Sequence, residues 1–352
     1  MDAILHIGPH KTGSSSIQMA MRLNVDLLKQ QGFLTASHLD KAASALPLPF
    51  QAEWAFHPIL KRTFRTWADA QALGEQHWTR LEQSAKEHPD HTMILSSEHF
   101  SSLPDPSALI ARLRRSFDRV VVMAYVRDPL DLYVSSIQQN IRGGRRLADL
   151  RVPSQFPFVI SRQIDKYASL VGVENIVVRN FARSNLIGGD VVLDFFSTLS
   201  SLGRPVSLPS SFVNEAYPAP VVAWLLIMNE AYERVLETDE RIALVARLDA
   251  IAELKPFAKL RLNVPEFEAT IRARSREDCA WLNNSFLQGQ ETLRVSASAR
   301  QSGLTEPEER SRMRQWILEA LTPEALSLLM NATVSLKPSA GAPIGKRKAA
   351  KP

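Results

Sequence analysis

Most of the chain's anion-binding chemistry follows its first apolar run, in Gly8-Pro9-His10-Lys11-Thr12-Gly13-Ser14-Ser15-Ser16. A strand that turns into a helix through such a loop offers free backbone N–H groups at the helix N-terminus, where the helix dipole favours negative charge. The hydroxyls of Thr12, Ser14, Ser15 and Ser16 add donors, and Lys11 adds a full positive charge. This is not a Walker A loop, which needs its lysine directly after the second glycine. Gly8 and Gly13 have that spacing, but Ser14 follows Gly13, and Lys11 lies two residues before it.

Two further groups stand at the ends of later apolar runs. One run closes Ala124-Tyr125-Val126-Arg127-Asp128-Pro129. Asp128 before Pro129 is a helix N-cap followed by a first-turn proline, so Arg127 sits at a strand's carboxyl end. Its planar fork suits a phosphate. Ser135 follows about two helical turns into the next helix. Two anion-binding devices at neighbouring strand ends suit a nucleotide phosphorylated at both its 5′ and 3′ positions. Another run ends Ser96-Ser97-Glu98-His99-Phe100. A carboxylate or imidazole there can take a proton from an acceptor hydroxyl. Glu98 is the first candidate for that base and His99 the second. Pairing with Lys11 or capping the next segment is the alternative role for Glu98. His6 and His10, near the loop, are expected to have structural or solvent roles.

The elements that must position these groups are legible as apolar runs. Ala3–Ile7, Thr92–Leu95, Val120–Val126 and Asn175–Val178 show little alternation, as strands buried on both faces do. Helical spacing separates them. Ile17, Ala20, Met21, Leu27 and Leu28 form one set, stopped at Gly32, and Leu130, Tyr133, Val134, Ile137 and Ile141 form another, stopped at Gly143-Gly144. The fold expected is α/β, a doubly wound parallel sheet with a P-loop-like strand–loop–helix nucleotide site and an extra helical C-terminal region. Ligands then bind beyond the carboxyl ends of the strands. Residues 1–214 are expected to form the core and 215–336 a mostly helical extension. Residues 46–80, with Trp54, Phe56, Phe64, Trp67 and Trp78, form a helical excursion packed on the core or an acceptor-binding lid.

Composition bounds the function. Hydrophobic residues make up 45% of the 352 residues and charged residues 22%, which is globular composition. The net charge is +5, but residues 337–352 carry Lys337, Lys346, Arg347, Lys348 and Lys351 and no acid. The excess belongs to a tail rich in Pro, Ala and Gly, expected to be disordered, and a nucleic-acid-binding face is not expected. Cys279 is the single cysteine, which excludes an internal disulfide and a multi-cysteine metal site. It lies beside Trp281 and Leu282 and is expected to be buried. No apolar run is long enough to span a bilayer and no signal-like segment opens the sequence, so a cytoplasmic location is expected.

Residues 8–16 resemble the 5′-phosphosulfate loop of the sulfotransferases that use 3′-phosphoadenosine 5′-phosphosulfate (PAPS). Val121 to Ser136 resembles that family's 3′-phosphate motif, in the same order and at a similar separation. The likeness is greatest to bacterial members of the carbohydrate-modifying kind, and Asn175–Leu199, with Gly188-Gly189-Asp190, extends it. It fades after about Asn214. The resemblance implies that Lys11 contacts the bridging oxygen and stabilises the leaving 5′-phosphate. Thr12, Gly13, Ser14, Ser15 and Ser16 would cradle that phosphate, and Arg127 and Ser135 would hold the 3′-phosphate. It implies PAPS as co-substrate, 3′,5′-ADP as product, a carbohydrate acceptor and no required metal. The glycine-and-basic C-terminal loop of animal cytosolic members has no good counterpart, Gly345-Lys346-Arg347-Lys348 being a poor substitute. A P-loop nucleotide kinase or NTPase, or a catalytically inactive nucleotide-binding module, are the alternatives.

Overall fold

The apolar runs pair side by side, all in one direction. The computed structural model describes residues 1–39, 41–53, 64–208, 217–231 and 238–334. In chain order its main elements are β1 (Asp2–His6), α1 (Ser14–Leu23), α2 (Val25–Gln30), β2 (Phe33–Thr35), α3 (Trp67–Glu87), β3 (Thr92–Ser96), α4 (Ser107–Leu113) and β4 (Arg119–Val126). There follow α5 (Pro129–Arg142), α6 (Ile160–Val171), β5 (Ile176–Asn180), α7 (Val191–Ser201), α8 (Ala219–Ala231), α9 (Thr238–Asp249), α10 (Pro265–Ser285), α11 (Glu306–Leu318) and α12 (Pro323–Val334).

Two compact units interleave along the chain. The first comprises Met1–Leu132, Phe156–Glu215 and Ala269–Gln301. It holds the five-stranded parallel sheet, in the order β2-β3-β1-β4-β5. Successive side chains of a strand point to opposite faces. Leu5, in register with Leu95 and Val122, faces a core built with Trp78 and Leu81 of α3, Ile110 of α4, Ile164 and Tyr167 of α6, and Leu282 of α10. Ile4, in register with Ile94 and Val121, faces Ile17 and Met21 of α1 and Val192, Phe195 and Phe196 of α7. Helices therefore cover both faces, which explains why the strands read as continuous apolar runs. Cys279 is fully buried, and burial pushes its thiol up to about 12.

Two local features differ from the sequence expectation. The helix after β1 breaks at Asn24, which leaves helical geometry while its side-chain amide donates to the Ala20 carbonyl at 2.8 Å. The edge strand β2 is three residues long, too short to register as an apolar run. In the aromatic segment, Trp78 is buried and its indole N–H donates to the Leu46 carbonyl at 2.8 Å. Phe64 is buried with Ala45, Leu48 and Ala70. Trp54 and Phe56 of that excursion or lid lie outside the described residues, as does the basic tail 337–352.

The second unit comprises Tyr133–Gln155, Ala216–Glu268 and Ser302–Pro352. Its described elements are helical and held by buried polar contacts. Asn229 of α8 donates to the carbonyls of Ile141 and Arg145, at 2.9 and 2.7 Å. The carboxylate of Glu309, on α11, is buried and accepts from the Ser154 backbone N–H at 3.1 Å. Trp316 donates to the Arg261 carbonyl at 2.8 Å. Among the described residues no helix is long and apolar enough to cross a membrane.

Candidate active site

β1 lies between β3 and β4, so the loop leaving it emerges between two other strand ends. Its base is pinned on both sides. Ile7 N–H donates to the Met123 carbonyl at 3.0 Å, and the N–H groups of Ser97 and Ser101 donate to the carbonyls of His6 and Ile7 at 3.1 and 3.2 Å. Tight turning sets the residue types. Gly8 has φ 40°, and a Cβ there would lie 2.6 Å from Ser14 Oγ. Lys11 has φ 69°, a left-handed backbone that costs a side-chain-bearing residue about 1–2 kcal/mol. Such strain, held by its surroundings, is a pointer to a functional position.

Gly13 caps α1 in left-handed conformation, with no side chain to accept from the first turn and no acid in that turn. The helix N-terminus therefore keeps its positive end uncompensated. Ser14 and Ser16 are buried and Ser15 is exposed. Ser14 Oγ is buried without a hydrogen-bond partner. An unmade buried hydrogen bond costs about 1–3 kcal/mol, so an incoming acceptor oxygen would be stabilised there. Thr12 differs, because its hydroxyl donates to the Pro9 carbonyl at 2.6 Å and braces the loop from within.

Arg127 extends from the end of β4 to the same loop, its Nη1 donating to the Lys11 carbonyl at 3.2 Å. The guanidinium lies 5.6 Å from the centre of the Phe181 ring. Burial pulls the Arg127 guanidinium down, against the opposing pull of Asp131 and Asp128, yet an arginine stays protonated at neutral pH. Asp128 caps α5 as expected, accepting from Leu130 N–H at 2.9 Å. Its other oxygen accepts from Arg272, a buried arginine of α10, at 2.7 Å. Sequence reasoning missed Arg272 and Phe181. Both meet the site only through the fold, and neither lies in a local motif. Ser135 is half-buried on α5, in the part of the helix that belongs to the second unit.

On the other side, the turn after β3 is tied by backbone contacts. Ser97 donates to the Ala43 carbonyl and accepts from His99 N–H at 3.1 Å, and Ser101 Oγ donates to the Glu98 carbonyl at 2.8 Å. These bonds leave the side chains of Glu98 and His99 half-exposed. Glu98 Oε2 stands 3.0 Å from His10 Nδ1. The rings of His10 and His99 meet edge to face at 6.2 Å. Burial acts to raise the Glu98 carboxyl. The His10 hydrogen bond and the charges of His10, His99 and Lys11 outweigh it and hold the group below its ordinary value. Glu98 is thus ionised at neutral pH. The contact between His10 and Glu98 is a third feature that sequence reasoning did not anticipate. His10 was expected to brace the loop or face solvent, and its position directly before Lys11 was the signal available.

His6 is a structural histidine, as expected. It lies fully buried, with Nδ1 2.8 Å from Ser96 Oγ and its ring edge-on to Phe195 at 5.3 Å. Burial pushes its imidazole down to about 3, which keeps it neutral. The ends of β3, β1 and β4 therefore bring together an anion-binding loop with a lysine, an arginine, and an ionised carboxylate between histidines. The arrangement can hold an anionic group and offer a proton acceptor beside it.

No protein-family model and no curated protein matches the chain. Among solved structures, it is similar to a sulfotransferase from Alicyclobacillus acidocaldarius, at 14% identity and a TM-score of 0.40, over 64% of this chain and 91% of that one.

Proposed function

We propose that the chain is a sulfotransferase that moves a sulfuryl group from PAPS to a hydroxyl or amine of an acceptor and releases 3′,5′-ADP. The observation that carries this reading is the meeting of Lys11 and its loop, Arg127, and the ionised Glu98 at three neighbouring strand ends. The likeness of residues 8–16 and 121–136 to the family's two phosphate motifs supports it, and the likeness to carbohydrate-modifying members favours a carbohydrate acceptor.

The acceptor oxygen attacks sulfur. The bond from sulfur to the bridging oxygen breaks, and its electron pair leaves with the 5′-phosphate. Lys11, the α1 N-terminus and the Ser14–Ser16 hydroxyls stabilise that growing charge. Groups aimed at developing charge are the largest single source of catalysis in most such reactions. Arg127 pairs with the 3′-phosphate. The acceptor's proton passes to the cluster that His10, Glu98 and His99 form beyond the ends of β1 and β3.

The test is transfer of labelled sulfur from PAPS to a panel of neutral oligosaccharides, with chelator present. Lys11→Ala should lower turnover about 100-fold or more, as loss of one transition-state donor does, while 3′,5′-ADP binding weakens far less. Magnesium-dependent use of ATP would instead support a kinase. Nucleotide binding with no transfer in a single turnover would support an inactive binding module.

A further inference from the structure

We infer that His10 is the group that takes the acceptor's proton, and that Glu98 is its positioning residue; the inference rests on the sulfuryl-transfer reading above. The geometry carries it. Glu98 Oε2 lies 3.0 Å from His10 Nδ1. An ionised carboxylate has no hydrogen to give, so the bridging proton belongs to Nδ1. In the neutral ring the lone pair is then on Nε2, the tautomer being set by the bond its partner nitrogen makes. Among the described residues Nε2 has no hydrogen-bond partner, and the His10 side chain is half-exposed at 52%. His10 also directly precedes Lys11, so proton acceptor and leaving-group stabiliser are neighbours on one loop.

Glu98 is poorly suited to the same task. Its carboxylate is engaged by His10 and surrounded by His10, His99 and Lys11, which hold it below the ordinary carboxylate range. A carboxylate so stabilised is a weaker proton acceptor than an unengaged one, whereas His10 Nε2 faces outward with its lone pair free. In the step, the acceptor O–H proton moves to His10 Nε2 as the oxygen bonds to sulfur. The sulfur–bridging-oxygen pair leaves with 3′,5′-ADP. Glu98 stabilises the imidazolium, which then returns its proton to solvent. No co-reactant beyond PAPS and the acceptor is required. The pairing repeats, with residues of this chain alone, the logic by which a carboxylate orients a catalytic imidazole.

Two measurements test it. In the first, His10→Gln and the wild type are compared for 3′,5′-ADP release from PAPS with neutral oligosaccharide acceptors, alongside calorimetric binding of 3′,5′-ADP. The expected result is a loss of about 100-fold or more in kcat, the usual weight of a general base, with nucleotide affinity little changed. Turnover in His10→Gln equal to wild type overturns the inference and leaves the sulfotransferase reading standing. No turnover and no 3′,5′-ADP binding in the wild type overturns both. In the second, nitrogen-labelled histidine is observed by long-range N–H correlation in the folded protein. The neutral His10 ring should carry its proton on Nδ1 in the wild type and shift toward Nε2 in Glu98→Gln. The same tautomer in both proteins would remove Glu98 from its positioning role and overturn the pairing.

Discussion

Replacing Gly13 with alanine should destabilise the sheet-containing unit by about 2–5 kcal/mol. The magnitude has two parts. Gly13 has φ 82°, and a left-handed backbone costs an L-residue about 1–2 kcal/mol. The added methyl would also lie 2.9 Å from both Phe181 Cε2 and Val191 Cγ1. Val191 opens α7, and its Cγ atoms sit too close to the backbone to swing away, so overpacking adds about 1–3 kcal/mol. Gly289 separates the two parts. It has φ 78° in the same unit, with nothing within 4 Å of an added Cβ, so Gly289→Ala costs the backbone part alone. Urea unfolding followed by circular dichroism reads both variants, a shifted midpoint at constant slope marking a true stability change. Phe181 also lies under the Arg127 guanidinium, so Gly13→Ala alone should weaken 3′,5′-ADP binding as well. Equal losses in the two variants would refute the claim that Phe181 and Val191 close against the loop.

Asp194→Ala should cost about 3–5 kcal/mol by chemical denaturation, the usual loss when one partner of a buried ion pair is removed. The carboxylate is fully buried and accepts from Tyr125 Oη at 2.8 Å and Arg179 Nε at 3.1 Å, so its removal strands both. A loss below about 1 kcal/mol, typical of an exposed pair, would contradict the buried network. Cys279 should resist alkylation in the native protein at mildly alkaline pH and react fully in denaturant, because its thiol is buried and pushed up to about 12. Rapid native labelling, read by mass spectrometry, would mean that α10 does not pack on the sheet as described.

The parts of the fold that the sequence makes legible share a physical cause. β1, β3 and β4 are covered on both faces, so each reads as an unbroken apolar run with a turn after it. β2 has the same burial but only three residues, and no pattern can form in that length. The break at Asn24 depends on one side chain turning back to a carbonyl, which helical spacing does not reveal. The site divides the same way. Lys11 and its loop, Glu98 and Arg127 each follow directly from a strand, so finding the strand finds the residue. Phe181 and Arg272 reach Arg127 and Asp128 through strand pairing and helix packing, across separations that local spacing cannot carry. The interleaving of the two units is of that kind too. Ala269–Gln301 clusters with the sheet, although the chain on either side of it belongs to the other unit.

The proposed site takes a nucleotide bearing both 5′ and 3′ phosphates, and calorimetric titration with 3′,5′-ADP probes it without need of an acceptor. The companion titrations are 5′-AMP, and ATP with and without magnesium. The expected result is metal-independent binding of 3′,5′-ADP, stronger than that of 5′-AMP, and weakened about 10-fold or more in Arg127→Ala, the worth of a hydrogen bond to a charged group. Preference for magnesium–ATP, or 3′,5′-ADP binding that Arg127→Ala leaves intact, would contradict it.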